Sequence, residues 1–136
     1  AIRMNKKKTE LAWKKIWGQR SVVGRFAIAN RIPPALKPTE RFKSTPRETF
    51  GRLMQCRTGH AFLGEYYSKF VPTKNIDCPC GEELQTREHI LRECPKYEDF
   101  QYILRKVSQD VCLTDILGTV EGVEALTEFL EMSGAF

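Results

Sequence analysis

The most constraining feature of the chain is Cys78-Pro79-Cys80-Gly81 followed by His89 and Cys94. This Cys-x-Cys-x8-His-x4-Cys array gathers four soft or borderline donors within seventeen residues. Three thiolates and an imidazole are a set that zinc prefers, in a tetrahedron with sulfur at ~2.3 Å and nitrogen at ~2.0–2.1 Å. Pro79 stiffens the backbone between the first two donors, and Gly81 lets the chain turn directly after the second. Thr86 reads as the cap of a short helix carrying His89. Cys94 follows His89 by five residues, about 140° around an ideal helix. One regular helix cannot aim both at one ion, so the helix is expected to end or bend before Cys94, as Pro95 encourages.

Four protein ligands leave no position for water, so the ion is expected to staple the fold and not to catalyse. Three thiolates around a dication give a net charge of −1, and binding is expected to weaken below about pH 5–6 as the ligands take protons. Glu82, Glu83, Glu88 and Glu93 read as solvated or helix-end charges. The competing reading is three buried cysteines and a core histidine that are neighbours by packing alone. Of the five cysteines, an odd number, Cys56 and Cys112 stand apart from this cluster. The pattern favours metal over a disulfide framework. Cys56 and His60 are an i, i+4 pair that could share a metal if a helix continued through Gly59. More simply, Cys56 packs, His60 caps a helix end or contacts phosphate, and Cys112 is an inert small hydrophobe.

Around the array the periodicity is helical and no segment alternates long enough to build a sheet, so the fold class is all-α, a small helical domain with one zinc-stapled knuckle. Asn5–Trp17 reads as a basic amphipathic helix with Ala12, Trp13, Ile16 and Trp17 on one side and Gly18 as its stop. Trp13 and Trp17 fit core or interface anchors, and also base-stacking platforms. Residues 21–44 carry Pro33, Pro34 and Pro38 and read as an extended linker or wrapping arm. The chain thus divides into a basic helix and arm, 1–44, and a helical zinc-knuckle domain, 45–136. Thr45 is expected to cap a helix with Pro46 at its first position and Glu48 reaching back. That helix buries Phe50, Leu53 and Met54 and pauses at Gly59. A second run carries Phe62, Leu63, Tyr66, Tyr67 and Phe70 up to Pro72. Cys94-Pro95 then opens a long helix with Tyr97, Phe100, Ile103, Leu104 and Val107 inward. A short helix near Leu113–Leu117 and one over Val120–Met132 follow.

The net charge of +5 hides a division. Residues 1–75 hold 17 Lys/Arg against 4 Asp/Glu, and residues 76–136 hold 5 against 13. So much uncompensated positive charge points to a polyanion, most often nucleic acid, although the acidic half can also fold back on the basic one. Arg52, Arg57, His60 and Lys69 are the candidate nucleic-acid contacts, with Tyr66 and Tyr67 as rings for unstacked bases or as core residues. The apolar runs, such as Phe26–Ala29, are far short of the roughly 20 residues that span a bilayer, and no signal segment opens the chain, so no membrane partner is expected. The aspartates are Asp77, Asp99, Asp110 and Asp115, with no adjacent pair. A complete two-metal polymerase or nuclease is disfavoured.

Arg57-Thr58-Gly59-His60, Tyr66-Tyr67, Cys78-Pro79-Cys80-Gly81, Thr86-Arg87-Glu88-His89-Ile90-Leu91 and Cys94-Pro95-Lys96-Tyr97 resemble the C-terminal zinc-knuckle region of non-LTR retrotransposon reverse transcriptases, especially fungal Tad-like elements. Upstream, Gly24-Arg25-Phe26-Ala27-Ile28-Ala29-Asn30-Arg31-Ile32-Pro33-Pro34 is similar to the segment after the ribonuclease H domain in such polyproteins, and Ser133-Gly134-Ala135-Phe136 to their tail. The resemblance extends over nearly the whole chain. It implies a zinc module that helps the enzyme hold template RNA or target DNA, with Cys78, Cys80, His89 and Cys94 as ligands. Arg57 and His60 belong to the shared motif without an assigned chemical role. The polymerase and ribonuclease H carboxylates have no counterpart, so the chain is expected to be a non-catalytic polyprotein fragment or a remnant kept by a host. The resemblance also implies nuclear action; Lys6-Lys7-Lys8 is too short a run to fix it. A different class of function stays open, a protein-interaction module docking on a polymerase or ribonuclease H domain or a host partner. So does a decayed copy without function.

Overall fold

The computed structural model describes residues 2–21, 23–33, 35, 37 and 40–136, the side chain of Arg41 excepted. Pro34 and Pro38 of the expected arm lie outside the described residues. The elements are helices throughout, with no strand among the described residues: α1 (Ile2–Gln19), α2 (Glu40–Ser44), α3 (Arg47–Thr58), α4 (Gly64–Phe70), α5 (Arg87–Arg92), a 3-10 helix (Pro95–Phe100), α6 (Gln101–Arg105), α7 (Leu113–Gly118) and α8 (Val120–Ser133).

The core forms where α8 packs against α3, α6 and α7. Leu53 of α3, Leu104 of α6, Ile116 and Leu117 of α7, and Leu126, Phe129 and Leu130 of α8 are fully buried there. Each such side chain contributes about 1.5–3 kcal/mol by leaving water. α8 starts on its own cap, Thr119 Oγ1 accepting from the Gly122 N–H at 2.9 Å. α3 ends as the glycine predicts. Gly59 has φ 76°, its N–H donates to the Cys56 carbonyl, and the His60 N–H donates back to Gln55.

Several expectations are corrected. The cap position of α3 falls on Pro46 and not Thr45, so the capping box does not form as read. The long helix expected from Cys94 is replaced by the 3-10 helix and the short α6. Tyr97, Phe100 and Ile103 are spaced by three, the period of a 3-10 turn, which keeps Tyr97 against Phe129 with ring centroids 6.2 Å apart. Val107 lies beyond α6 and is exposed. Within the segment read as extended, the described residues 24–31 are not extended either. Residues 24–31 form tight turns, with Ala27 N–H donating to the Gly24 carbonyl and Asn30 N–H to Phe26, and they bury Ala29 completely. Ala29 is thus a member of the buried core. α1 itself runs longer than Asn5–Trp17, passes through Gly18, and has no buried residue.

Three arginines join these pieces by a common device. The last carbonyls of a helix lack partners within it and carry the negative end of its dipole. Arg52 Nη1 donates to Leu130 O at 3.1 Å and Ala135 O at 2.9 Å, closing the end of α8. Arg57, buried, donates from Nε to Leu117 O in the last turn of α7 at 3.1 Å and from Nη2 to Ala29 O at 3.0 Å. Burial draws its pKa below the ordinary arginine value. Arg87, also buried, donates from Nη1 to Cys56 O near the end of α3 at 2.9 Å.

Replacing Arg57 by Met strands two buried carbonyls. We expect a loss of about 2–4 kcal/mol in urea unfolding, against roughly 0.5 kcal/mol or less for the exposed Arg47→Met. An unchanged midpoint for Arg57→Met would show that the guanidinium does not hold the turn segment to α7.

Candidate metal centre

The stretch before α5 has few apolar residues and is organised by its backbone. Gln85 N–H donates to Ile76 O, Cys78 N–H to Glu82 O and Gly81 N–H to Cys78 O, folding 76–85 into a narrow loop. Gly81 turns the loop at φ 106°, a conformation that costs glycine little. Thr86 Oγ1 accepts from the His89 N–H at 3.0 Å, the cap expected from the sequence. α5 stops at Arg92, and the Cys94 N–H folds back on the His89 carbonyl at 2.8 Å, so the helix ends before Cys94 as the spacing requires.

These elements bring the Sγ atoms of Cys78, Cys80 and Cys94 and a ring nitrogen of His89 within 4.8 Å of one another. Cys78 and Cys94 sulfurs are 3.8 Å apart, and Cys80 Sγ lies 3.2 Å from His89 Nε2. A tetrahedral ion with ~2.3 Å bonds to sulfur separates its sulfurs by about 3.8 Å. The four residues therefore fit a metal ion. Cys78, His89 and Cys94 are buried and Cys80 is exposed, so one side of the cluster meets solvent.

The surroundings support the ligands. Gln101, almost fully buried, donates from Nε2 to Ile90 O and Cys94 O, both at 3.2 Å, tying α5 and the last ligand to α6. Gln85 Nε2 lies 3.8 Å from Cys78 Sγ. Gln101 is not among the residues the sequence singles out; its one signal is a polar side chain four places after Tyr97, in line with the inward stripe. The Glu82 backbone N–H, and after it the hydrogen bonds of His89 and the neighbouring sulfurs, pull the Cys80 thiol down to about 7, while burial pushes Cys94 up to about 11. Glu82, Glu83, Glu88 and Glu93 are all exposed, and Glu88 pairs with Arg92 at 3.1 Å.

The other sequence candidates do not converge here. Cys56 is fully buried and its thiol is pushed up to about 12 by burial, so it packs. α3 ends at Thr58, which removes the helical register that Cys56 and His60 would need to share an ion. Cys112, read as an inert small hydrophobe, is exposed, with Sγ 3.1 Å from Thr114 Oγ1. Of the four candidate nucleic-acid residues, Arg57 is buried and Arg52 is half-buried, and both are engaged as helix-end partners. His60 and Lys69 are exposed. Comparison with protein-family models, curated proteins and solved structures finds no match.

Cys80 has a lowered pKa, so its thiolate is present at neutral pH and is lost as pH falls through about 7 in the metal-free protein. Cys94 holds its proton until well above neutrality and must release it to a metal. Metal uptake at pH 7.5 is therefore expected to expel protons, measured by titration calorimetry in buffers of different ionisation enthalpy, and affinity is expected to fall as pH falls. Uptake without proton release would exclude Cys94 as a thiolate ligand.

Proposed function

We propose that the chain is a zinc-stapled, non-catalytic nucleic-acid-binding module, of the kind found at the C-terminus of retrotransposon reverse transcriptases. Zinc is the ion its three thiolates and imidazole suit best, and with four protein ligands it maintains the fold around His89 and Cys94. Cys78, Cys80, His89 and Cys94 would hold it. Catalysis belongs to other domains, and the module acts in the nucleus by holding template RNA or target DNA.

The observation that carries the binding reading is the state of α1. Arg3, Lys6, Lys7, Lys8, Lys14 and Lys15 are all exposed on a helix with no buried residue. Glu10 bonds Lys14 at 3.2 Å and is the only acidic residue in that helix. Such a helix lowers its free energy when its cations displace the counterions of a phosphate backbone.

The exposed apolar residues of the same helix favour a second reading. Ile2, Trp13 and Ile16 are 74%, 42% and 66% exposed, a stripe that a protein partner such as a polymerase or ribonuclease H domain would cover. Salt separates the two. Binding to labelled RNA or DNA is expected to weaken at least about tenfold between roughly 50 and 200 mM salt, and Lys6, Lys7 and Lys8 changed together to Ala are expected to flatten that dependence. No binding to any oligonucleotide at low salt would remove the nucleic-acid reading and leave the docking one.

A further inference from the structure

Four rings meet around α4. His60 stacks on Phe70 with centroids 5.9 Å apart and planes 26° from parallel, and Tyr66 lies 4.9 Å from Phe70 and 5.6 Å from His60. Phe62 meets Tyr66 edge-on at 6.3 Å. A core cluster hides its rings, as Phe129 is hidden. Here Phe62 is 67% exposed, Phe70 is 53% exposed, and His60 is exposed as well.

The cluster is cationic on its flank. Arg25 places its guanidinium over the Phe70 ring, 5.2 Å from the centroid, and is fixed there by donating to Gly59 O at 2.9 Å and Glu65 O at 3.2 Å. From Arg25 an open groove of about 490 Å³ runs past Ser68 and Lys69 to Arg87. The carboxylate that lines it, Glu65, already accepts from Arg87 Nε at 3.0 Å and from the Arg87 backbone N–H at 2.8 Å. Its charge is spent on that pair, and Arg25 and Lys69 give the groove an excess of positive charge.

Exposed rings beside a cationic groove suit one kind of polymer, in which apolar faces alternate with phosphates. Paired bases keep their faces inside the stack, whereas unpaired ones offer them to protein rings. We propose that this surface binds single-stranded nucleic acid, with unpaired bases stacking on Phe62, His60 and Phe70 and the sugar-phosphate strand following the groove at Arg25 and Lys69. The proposal rests on the nucleic-acid reading and narrows it to unpaired strands at this site. Arg25, Phe62 and Phe70 carry it together with His60 and Lys69.

The test is fluorescence anisotropy with the zinc-loaded full chain and labelled oligouridine and oligothymidine of about 12 nucleotides, beside a duplex of the same length. Phe70→Ala and Phe62→Ala, checked for native circular dichroism and full zinc content, are expected to weaken binding to both single strands about tenfold each and to leave the duplex unchanged. Phe70→Trp is expected to retain strand binding. Lys69→Glu is expected to weaken strand binding and to steepen no salt dependence. Strand binding that is salt-sensitive but indifferent to both alanine variants would overturn the platform while leaving the nucleic-acid reading in place. Equal losses on strand and duplex would overturn it too. If the wild-type chain binds none of the oligonucleotides, the platform and the reading beneath it both fall.

Discussion

The Glu65–Arg87 pair is the interaction through which the parts of this molecule are coupled. Arg87 is buried at the start of α5, two residues before His89, and reaches Glu65 on α4 and the Cys56 carbonyl at the end of α3. It therefore fixes the segment that carries the candidate metal donors, the aromatic helix and the core helix in one arrangement. A pair of this kind, with Arg87 buried and Glu65 half-buried, is weak as a source of net stability, because the guanidinium loses its hydration and the carboxylate part of its own. Its strength lies in direction: any other placement of α4 or α5 leaves a desolvated charge without its partner.

The same reasoning explains why Arg52, Arg57 and Arg87 serve the fold and not the surface. Helices as short as α7 leave a large share of their carbonyls without internal partners. Arg57 supplies a donor to Leu117 O at the end of α7, and Arg52 and Arg87 add a second donor to Leu130 O and Cys56 O, which also accept from the Gly134 and Gly59 N–H groups at the ends of α8 and α3. Surface charge is left to residues such as the lysines of α1 and Lys69, which make no such bonds to helix ends. The loop of 76–85 has the opposite difficulty, with little apolar surface to bury, and depends on donor atoms converging from Cys78, Cys80, His89 and Cys94. Gln101 extends that convergence into the core by holding the carbonyls of Ile90 and Cys94.

Much of the local structure was legible in the residues. The Thr86 cap, the left-handed stop at Gly59, the termination of α5 before Cys94 and the starts of α7 and α8 are decided within a few residues by hydrogen bonding and steric limits on the backbone. The 3-10 helix was not legible, because Tyr97, Phe100 and Ile103 fit both a three-residue and a 3.6-residue period until Phe129 packs against Tyr97. The turns that bury Ala29 were hidden for a similar reason: Arg57, far along the chain, holds its carbonyl.

The sequence by itself determined a small helical domain, without strands among its described residues, and the four residues that gather as candidate metal donors, since donor type and spacing are local properties. Tertiary structure alone decided the fate of its charges and rings. Arg57 and Lys69 look equivalent as letters. One is enclosed by carbonyls from α7 and the turn segment, and the other stands in solvent beside Phe70. Whether a cation serves the fold or faces a partner depends on which carbonyls reach it, and those belong to residues remote in sequence.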